Sequence, residues 1–128
     1  MPDNGSSLRV FASKTEQGFL GAYIWEDRLD AKSWQDYHDK DTERYFNQFR
    51  QLPQMLVIDT KYSTEQVGNV DFLVQHVKYI IRSSNDTCYV YHYFGKLKDK
   101  GLDISFEYSD KTLGTYFREI VNSSTFSK

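Results

Sequence analysis

The stretch MLVIDTKYS, residues 55–63, places a carboxylate and a lysine two positions apart at the end of an apolar run. Residues i and i+2 of a strand point to the same face, so Asp59 and Lys61 project together if the strand extends that far. A carboxylate can hold Mg²⁺, and a nearby lysine can orient the attacking water or stabilise the charge that develops during phosphodiester hydrolysis. In the other interpretation, Asp59 caps the following turn and Lys61 is a solvated charge.

A second pair, Gln75 and Tyr79, lies four positions apart, which places both on one flank if that segment is helical. Asp-x-Lys followed by a helix with Gln-x-x-x-Tyr resembles the core of the RecB-type PD-(D/E)xK nucleases. The resemblance implies a Mg²⁺-dependent nuclease with Asp59, Lys61, Gln75 and Tyr79 as its catalytic residues and Asp59 as the metal ligand. The sequence has no basic tract that could follow a nucleic acid, so the nuclease is the alternative interpretation.

The stretch from Trp25 to Glu43 combines acidic residues with aromatic ones. Such a mixture suits a basic protein partner, because carboxylates steer its approach and rings anchor it. An ordinary solvated loop and helix start would also be acidic, since carboxylates favour the positive end of the helix dipole. We favour partner binding because large apolar rings are seldom left exposed without a function. The predicted partner-binding residues of this stretch are Trp25, Glu26, Asp27, Trp34, Asp36 and Tyr37.

Three tyrosines, Tyr89, Tyr91 and Tyr93, alternate along the predicted strand TCYVYHYF and therefore share one face. Tyrosine is enriched among the residues that dominate binding at interfaces, so this ladder is a second candidate partner-binding surface. It is equally typical of a sheet face that packs on a helix with its hydroxyls at the edge. The sequence leaves both interpretations open.

His38 and Asp41 lie three positions apart on the aromatic face of the first predicted helix, close enough to touch. The pair could perform acid–base chemistry beside an aromatic pocket. No nucleophile is linked to it in the sequence, so we favour a helix face that is wet at this point. An aromatic small-molecule pocket under this helix would not be visible in the sequence.

Composition narrows the protein class. The chain has 128 residues and a formal net charge of −2, which disfavours a protein that coats nucleic acid. The one cysteine, Cys88, excludes an internal disulfide, and the three histidines lack the close spacing of a zinc site. No apolar window approaches a membrane span, and the N-terminus lacks the features of a signal peptide. We therefore expect a cytoplasmic protein without a cofactor, Mg²⁺ being the alternative under the nuclease interpretation.

Periodicity and turn signals predict a single α+β domain over residues 8–122, with α/β as the alternative. Residues 1–7 are predicted to be a flexible lead and residues 123–128 a frayed tail. The expected order is ββ-α-β-α-ββ-α, in a mixed sheet packed by helices. The elements are strands at 8–13, 19–25, 55–59, 87–94 and 102–108, and helices from Ser33 to Leu52, from Ser63 or Thr64 to Arg82, and from Ser109 or Asp110 onward. The middle helix is predicted from an apolar stripe at helical spacing, formed by Val67, Val70, Val74, Val77 and Ile81.

These observations together predict a non-catalytic protein-binding module of the inhibitor, immunity or adaptor kind. Its partner would be a protein, with a basic surface as the best fit to the acidic and aromatic residues. No membrane contact is expected, nucleic acid is expected only for the nuclease alternative, and a homo-oligomer remains open.

Overall fold

The computed structural model describes residues 8–15, 18–97, 99–109 and 111–122, with the side chains of 8–19, Trp25 and Leu113 left out of the description. The predicted lead at 1–7 and tail at 123–128 lie outside the described residues. The elements in chain order are β1 (Leu8–Thr15), β2 (Gly18–Glu26), α1 (Ala31–Arg50), β3 (Met55–Val67), β4 (Val70–Ile81), β5 (Thr87–Leu97), β6 (Lys100–Tyr108) and α2 (Lys111–Asn122).

The six described strands form one sheet in the order β1-β2-β6-β5-β4-β3. Every neighbouring pair is antiparallel, so the α+β class is confirmed and the expected mixed sheet is wrong. β3 to β6 form a meander joined by tight connections, and β6 returns to pair with β2. α1 therefore carries the chain from the first hairpin across the sheet to its far edge, where β3 begins.

The predicted helix from Ser63 or Thr64 to Arg82 is wrong, because this segment is the hairpin of β3 and β4. Gly68 turns the chain with φ of 60°, a left-handed conformation that glycine adopts at little cost. The valine stripe led to the wrong prediction of a helix because β4 lies inside the sheet and is buried on both faces, so its apolar residues do not alternate strictly. β-branched residues spaced by three and four therefore imitated a helical period.

The two helices cover opposite faces of the sheet. α1 packs mainly over β3 and β4, where Phe46 joins Val77, Tyr79 and Val90 in an apolar cluster. α2 packs on β6 and β2 through Phe117 and Val121, which join the larger cluster on the other face. Neither described helix is long and apolar enough to cross a membrane.

The N-terminus of α1 is fixed by Asp30, which lies before Ser33, the predicted start of the helix. The Asp30 Oδ1 atom accepts a hydrogen bond of 2.8 Å from the Ser33 backbone N–H, in the geometry of an N-cap. The helix consequently starts two residues earlier than predicted, and it ends at Arg50, before Leu52 and Pro53. This cap matters for function because it orients the first turns of α1 above the sheet.

Gly68→Ala should change the free energy of unfolding in opposite directions in a hairpin and in a helix, so this variant distinguishes the two structures. In the hairpin, alanine must adopt the left-handed conformation, which lowers the free energy of unfolding by roughly 1–2 kcal/mol. Inside a helix, the same substitution would raise it by about 1 kcal/mol. Urea unfolding measures the difference. Asn69→Ala is the control, since this turn neighbour does not have a positive φ, and its unfolding midpoint should move less than that of Gly68→Ala.

Candidate functional site: a pocket beside the first helix

α1 leaves part of its sheet face uncovered, and a pocket of about 820 Å³ lies there. Its walls are the first half of α1, the segment after β2, and the exposed faces of β2, β5 and β6. A volume in the range of about 300–1,000 Å³ is typical of ligand sites. The described lining residues are Tyr23, Glu26, Asp27, Arg28, Leu29, Trp34, Tyr37, His38, Asp41, His92, Phe94, Asp103 and Ser105.

Stacked rings form one wall of the pocket. Trp34 and His38 are four residues apart on α1 and therefore neighbours on one side of the helix. Their ring centroids lie 4.9 Å apart in an edge-to-face contact. The His38 ring stacks on Phe94 of β5, with centroids 4.3 Å apart. Trp34, His38 and Phe94 are all buried, so this wall is set by packing between α1 and the sheet.

A hydrogen-bonded pair, His92 and Asp103, crosses from β5 to β6 in the uncovered part of the face. His92 Nε2 and Asp103 Oδ1 are 2.8 Å apart, and both side chains are about one-fifth exposed. Ser105 lies directly opposite His92 in the register of the two strands. The arrangement places one carboxylate, one imidazole and one hydroxyl beside α1, whose Tyr45 ring contacts His92 with centroids 5.8 Å apart.

The rim of the pocket is exposed and partly apolar. Tyr37 is 53% exposed and Leu29 is 45% exposed, on two sides of the opening. The segment after β2 is held in place because Asp27 Oδ1 accepts a hydrogen bond of 3.1 Å from the Leu29 backbone N–H. Lys96 Nζ also donates to the Asp27 backbone carbonyl at 2.8 Å, which ties this segment to β5.

Two buried polar atoms on the aromatic wall have no hydrogen-bond partner among the described residues, Trp34 Nε1 and His38 Nδ1. An unsatisfied buried polar group costs roughly 1–3 kcal/mol, so such groups are rare in native proteins without a reason. Burial lowers the pKa of His38 below its usual value, although the carboxylates of Asp41 and Asp27 act in the opposite direction. Burial therefore favours the neutral imidazole of His38.

The predicted acidic and aromatic partner surface coincides in part with this pocket. Glu26, Asp27, Trp34 and Tyr37 line it, but Trp34 is buried in the wall and not presented on the surface. Asp36 is exposed on α1 and is not among the lining residues, while the side chain of Trp25 lies outside the description.

The tyrosine ladder lies on the opposite face of the sheet. Tyr93 is fully buried at 0% exposure, so it is not available to a partner. Tyr89 and Tyr91 are half-buried and stack across strands, Tyr89 on Tyr108 with centroids 5.0 Å apart and Tyr91 on His76 at 4.2 Å. Their ring faces are thus occupied by neighbours, and the ladder is not continuous with the pocket.

The structure does not bring the four nuclease residues together. The register of β3 and β4 places Asp59 and Lys61 opposite Lys78 and His76, on the face that carries α2. Gln75 lies beneath α1 on the other face, where its Nε2 donates to Thr42 at 2.7 Å.

Tyr79 shares that face with Gln75, and its hydroxyl donates to Glu107 at 3.2 Å. Within the described residues, no group of three or more histidine, cysteine, aspartate or glutamate side chains is arranged to hold a metal ion.

Sequence reasoning missed the half of the pocket that the sheet contributes. His92 and Phe94 share a face with Cys88 by strand alternation, and Asp103 and Ser105 occupy the polar positions of β6. These alternations are visible in the sequence, but they do not show that β5 and β6 are neighbours in the sheet, which is what brings the residues together. The sequence predicts that His38 and Asp41 lie on a wet face of the helix, which is wrong for His38 because its side chain is buried.

The fold is similar to that of PA94 from Pseudomonas aeruginosa, a solved protein of unknown function. The two chains are 12% identical and superpose with a TM-score of 0.53, over 100% of this chain and 90% of PA94. Identity this low shows a common fold and nothing about activity. No protein-family profile and no curated protein matches the sequence.

Burial of neutral His38 predicts a loss of stability on acidification. Because its pKa in the folded state lies below the unfolded value of 6.5, the unfolded chain binds the proton more readily. Stability is full above pH 6.5 and falls as the pH drops below it. His38→Gln should flatten this dependence, as measured by urea midpoints at pH 7, 6 and 5.

His76, whose pKa burial also lowers, supplies a comparison on the other face. His76→Gln should remove its own part of the slope and leave the part due to His38. An unchanged slope in His38→Gln would contradict the assignment.

Proposed function

We propose that the protein is a non-catalytic binding module that docks a protein partner over this pocket and takes a basic side chain of the partner into it. The observation that carries the proposal is an open pocket with buried rings on its wall, an exposed Tyr37 on its rim and carboxylates around it. Inhibitor, immunity and adaptor proteins all act by such docking. The occupant that fits this lining is a lysine or arginine side chain.

The rings supply one part of the attraction. A cation within about 6 Å of an aromatic centroid gains roughly 0.5–2 kcal/mol, the larger value when the site is dry. Trp34, Tyr37 and Phe94 surround the pocket, and two of the three are buried and shielded from water. The apolar stem of a lysine or arginine would at the same time cover Leu29 on the rim.

The carboxylates supply the other part. Asp41 is paired with Arg44, but the Arg44 side chain is 69% exposed, and exposed pairs contribute little. A partner's cation that enters the pocket can therefore compete for Asp41. Asp103 is bonded to His92 on one oxygen, and a carboxylate has further lone pairs for a second donor.

Binding accounts for the lining better than catalysis does. Covalent catalysis needs an activated nucleophile, and the described lining contains neither a cysteine nor a lysine. Its one serine, Ser105, lies opposite His92, but no hydrogen bond joins their side chains among the described residues, so the hydroxyl is not linked to a base. The polar groups that remain are donors and acceptors suited to recognition.

Tyr37→Ala should weaken partner binding about tenfold, because an exposed ring at the mouth of a pocket is a typical hot spot. Random displayed peptides selected on the wild-type protein should be enriched in arginine or lysine next to apolar residues. The affinity of the best peptide is then measured by calorimetry for each variant. Asp41→Asn should weaken binding to a similar extent, since it removes a carboxylate from the pocket.

Tyr116→Ala is the matched control, because Tyr116 is 57% exposed on α2, on the opposite face of the sheet. It should bind the peptide as the wild type does. Trp34 is not a suitable probe, because truncation of a buried tryptophan costs roughly 3–5 kcal/mol and threatens the fold. Equal affinity of wild type and Tyr37→Ala, or selected peptides without basic residues, would refute the proposal.

A further inference from the structure

β3 forms one edge of the sheet and runs for 13 residues, from Met55 to Val67. Among the described strands, none pairs with its outer side. An edge strand presents a row of unpaired N–H and C=O groups, and proteins usually shield a long edge or pair it with another chain. Leu56 and Ile58 are 42% and 47% exposed on this strand, which adds apolar surface to the open edge.

The centre of this edge, IDTKY at residues 58–62, is complementary to itself in charge. Asp59 and Lys61 flank Thr60, both are exposed, and the register with β4 places both on the face of α2. When such a strand is paired antiparallel with its own copy about Thr60, each acidic residue falls opposite a basic one. Directly opposed residues in antiparallel strands point to the same side and are close enough to interact.

We propose that the protein forms a symmetric dimer in which the β3 edges of two copies pair antiparallel, with the two-fold axis passing between the Thr60 residues. Asp59 then lies opposite the partner's Lys61, and Lys61 lies opposite the partner's Asp59. β3 has a bulge between Val57 and Asp59, so the proposed regular pairing is centred on Asp59, Thr60 and Lys61 and does not extend through Ile58. The two six-stranded sheets become one continuous sheet.

The charges select this register over its neighbours. The corresponding faces of the two sheets must stay on the same side. The two β3 strands can then pair in another register only if the two-fold axis passes between another pair of identical residues. An axis through Asp59 places two aspartates opposite each other, and an axis through Lys61 does the same with two lysines. Like charges directly opposite one another are destabilising, so Thr60 is the favoured centre.

The helices leave this pairing accessible. α1 lies on one face of β3, where Arg50 Nη2 donates to Thr60 Oγ1 at 3.2 Å, and the backbone edge itself points away from the sheet. The pocket beside α1 is lined from β2, β5, β6 and the first half of the helix. Dimerisation at β3 therefore does not depend on the proposed partner site, and each can be tested without the other.

A pair of charge reversals tests the dimer. Wild type should sediment as a dimer in analytical ultracentrifugation, and Asp59→Lys or Lys61→Asp alone should each raise the dimer Kd roughly tenfold or more, because two attractive pairs become repulsive. An equimolar mixture of the two variants should form a heterodimer, since every lysine then faces an aspartate. The double variant Asp59→Lys, Lys61→Asp should dimerise like the wild type.

Asp86→Lys, an exposed reversal in the loop between β4 and β5, is the control and should leave the dimer intact. Thr60→Cys should form a disulfide across the axis on mild oxidation, because opposed residues of antiparallel strands lie within disulfide reach. Ser84→Cys should not, and the native Cys88 is buried. Monomeric wild type, single reversals that dimerise normally, or variants that fail to pair when mixed would overturn the proposal.

Discussion

One buried hydrogen bond fixes α1 on the sheet, and the pocket depends on its position. Gln75 is 1% exposed at the centre of β4, and its Nε2 donates to Thr42 Oγ1 at 2.7 Å. Thr42 in turn donates to the carbonyl of His38 at 2.7 Å. Buried polar groups of this kind cost free energy if they are left unpaired. The contact therefore fixes both the distance of α1 from the sheet and its rotation about its own axis. Its carbonyl partner belongs to the histidine that lines the pocket.

The pocket forms because α1 covers only part of its face of the sheet. α1 packs mainly on β3 and β4, while the sheet continues through β5, β6 and β2. The uncovered strands carry His92, Asp103 and Ser105 on that face, where a core would need apolar residues. Under α1 the same face is apolar at Val77 and Val90, and the polar Gln75 is hydrogen-bonded to the helix. The polar residues thus mark where the helix stops covering the sheet, and they line the site as a consequence.

The opposite face and the β3 edge have different physical roles. On the face of α2, tyrosine rings stack on neighbours across strands and contribute to packing. Asp59 and Lys61 extend that face to the edge, where their neighbours in the described sheet lie on one side only. Asp59 and Lys61, the Asp-x-Lys part of the predicted nuclease core, thus lie on an edge strand and on the opposite face from Gln75 and Tyr79. Their spacing of two, which predicted a metal ligand at Asp59 and a water-orienting group at Lys61, is also the spacing on which the proposed dimer rests.

The sequence by itself determined those strands and helices that are specified by residues close together in the chain. Alternation predicted the first hairpin and β5, and the apolar face of residues 34–49 predicted α1 within a few residues of its ends. The turn at Gly68 and Asn69 was present in the sequence but was overruled by the valine stripe, because a strand buried on both faces has no strict alternation.

Only the tertiary structure decided which side chains meet. Strand order places Asp103 of β6 beside His92 of β5, and places Gln75 on the opposite face from Asp59. Such proximities depend on pairing between distant segments, and the register of that pairing is set by burial over the whole sheet. The position of the pocket was therefore outside the reach of any local pattern, although the sequence singles out six of its lining residues by their chemistry: Glu26, Asp27, Trp34, Tyr37, His38 and Asp41.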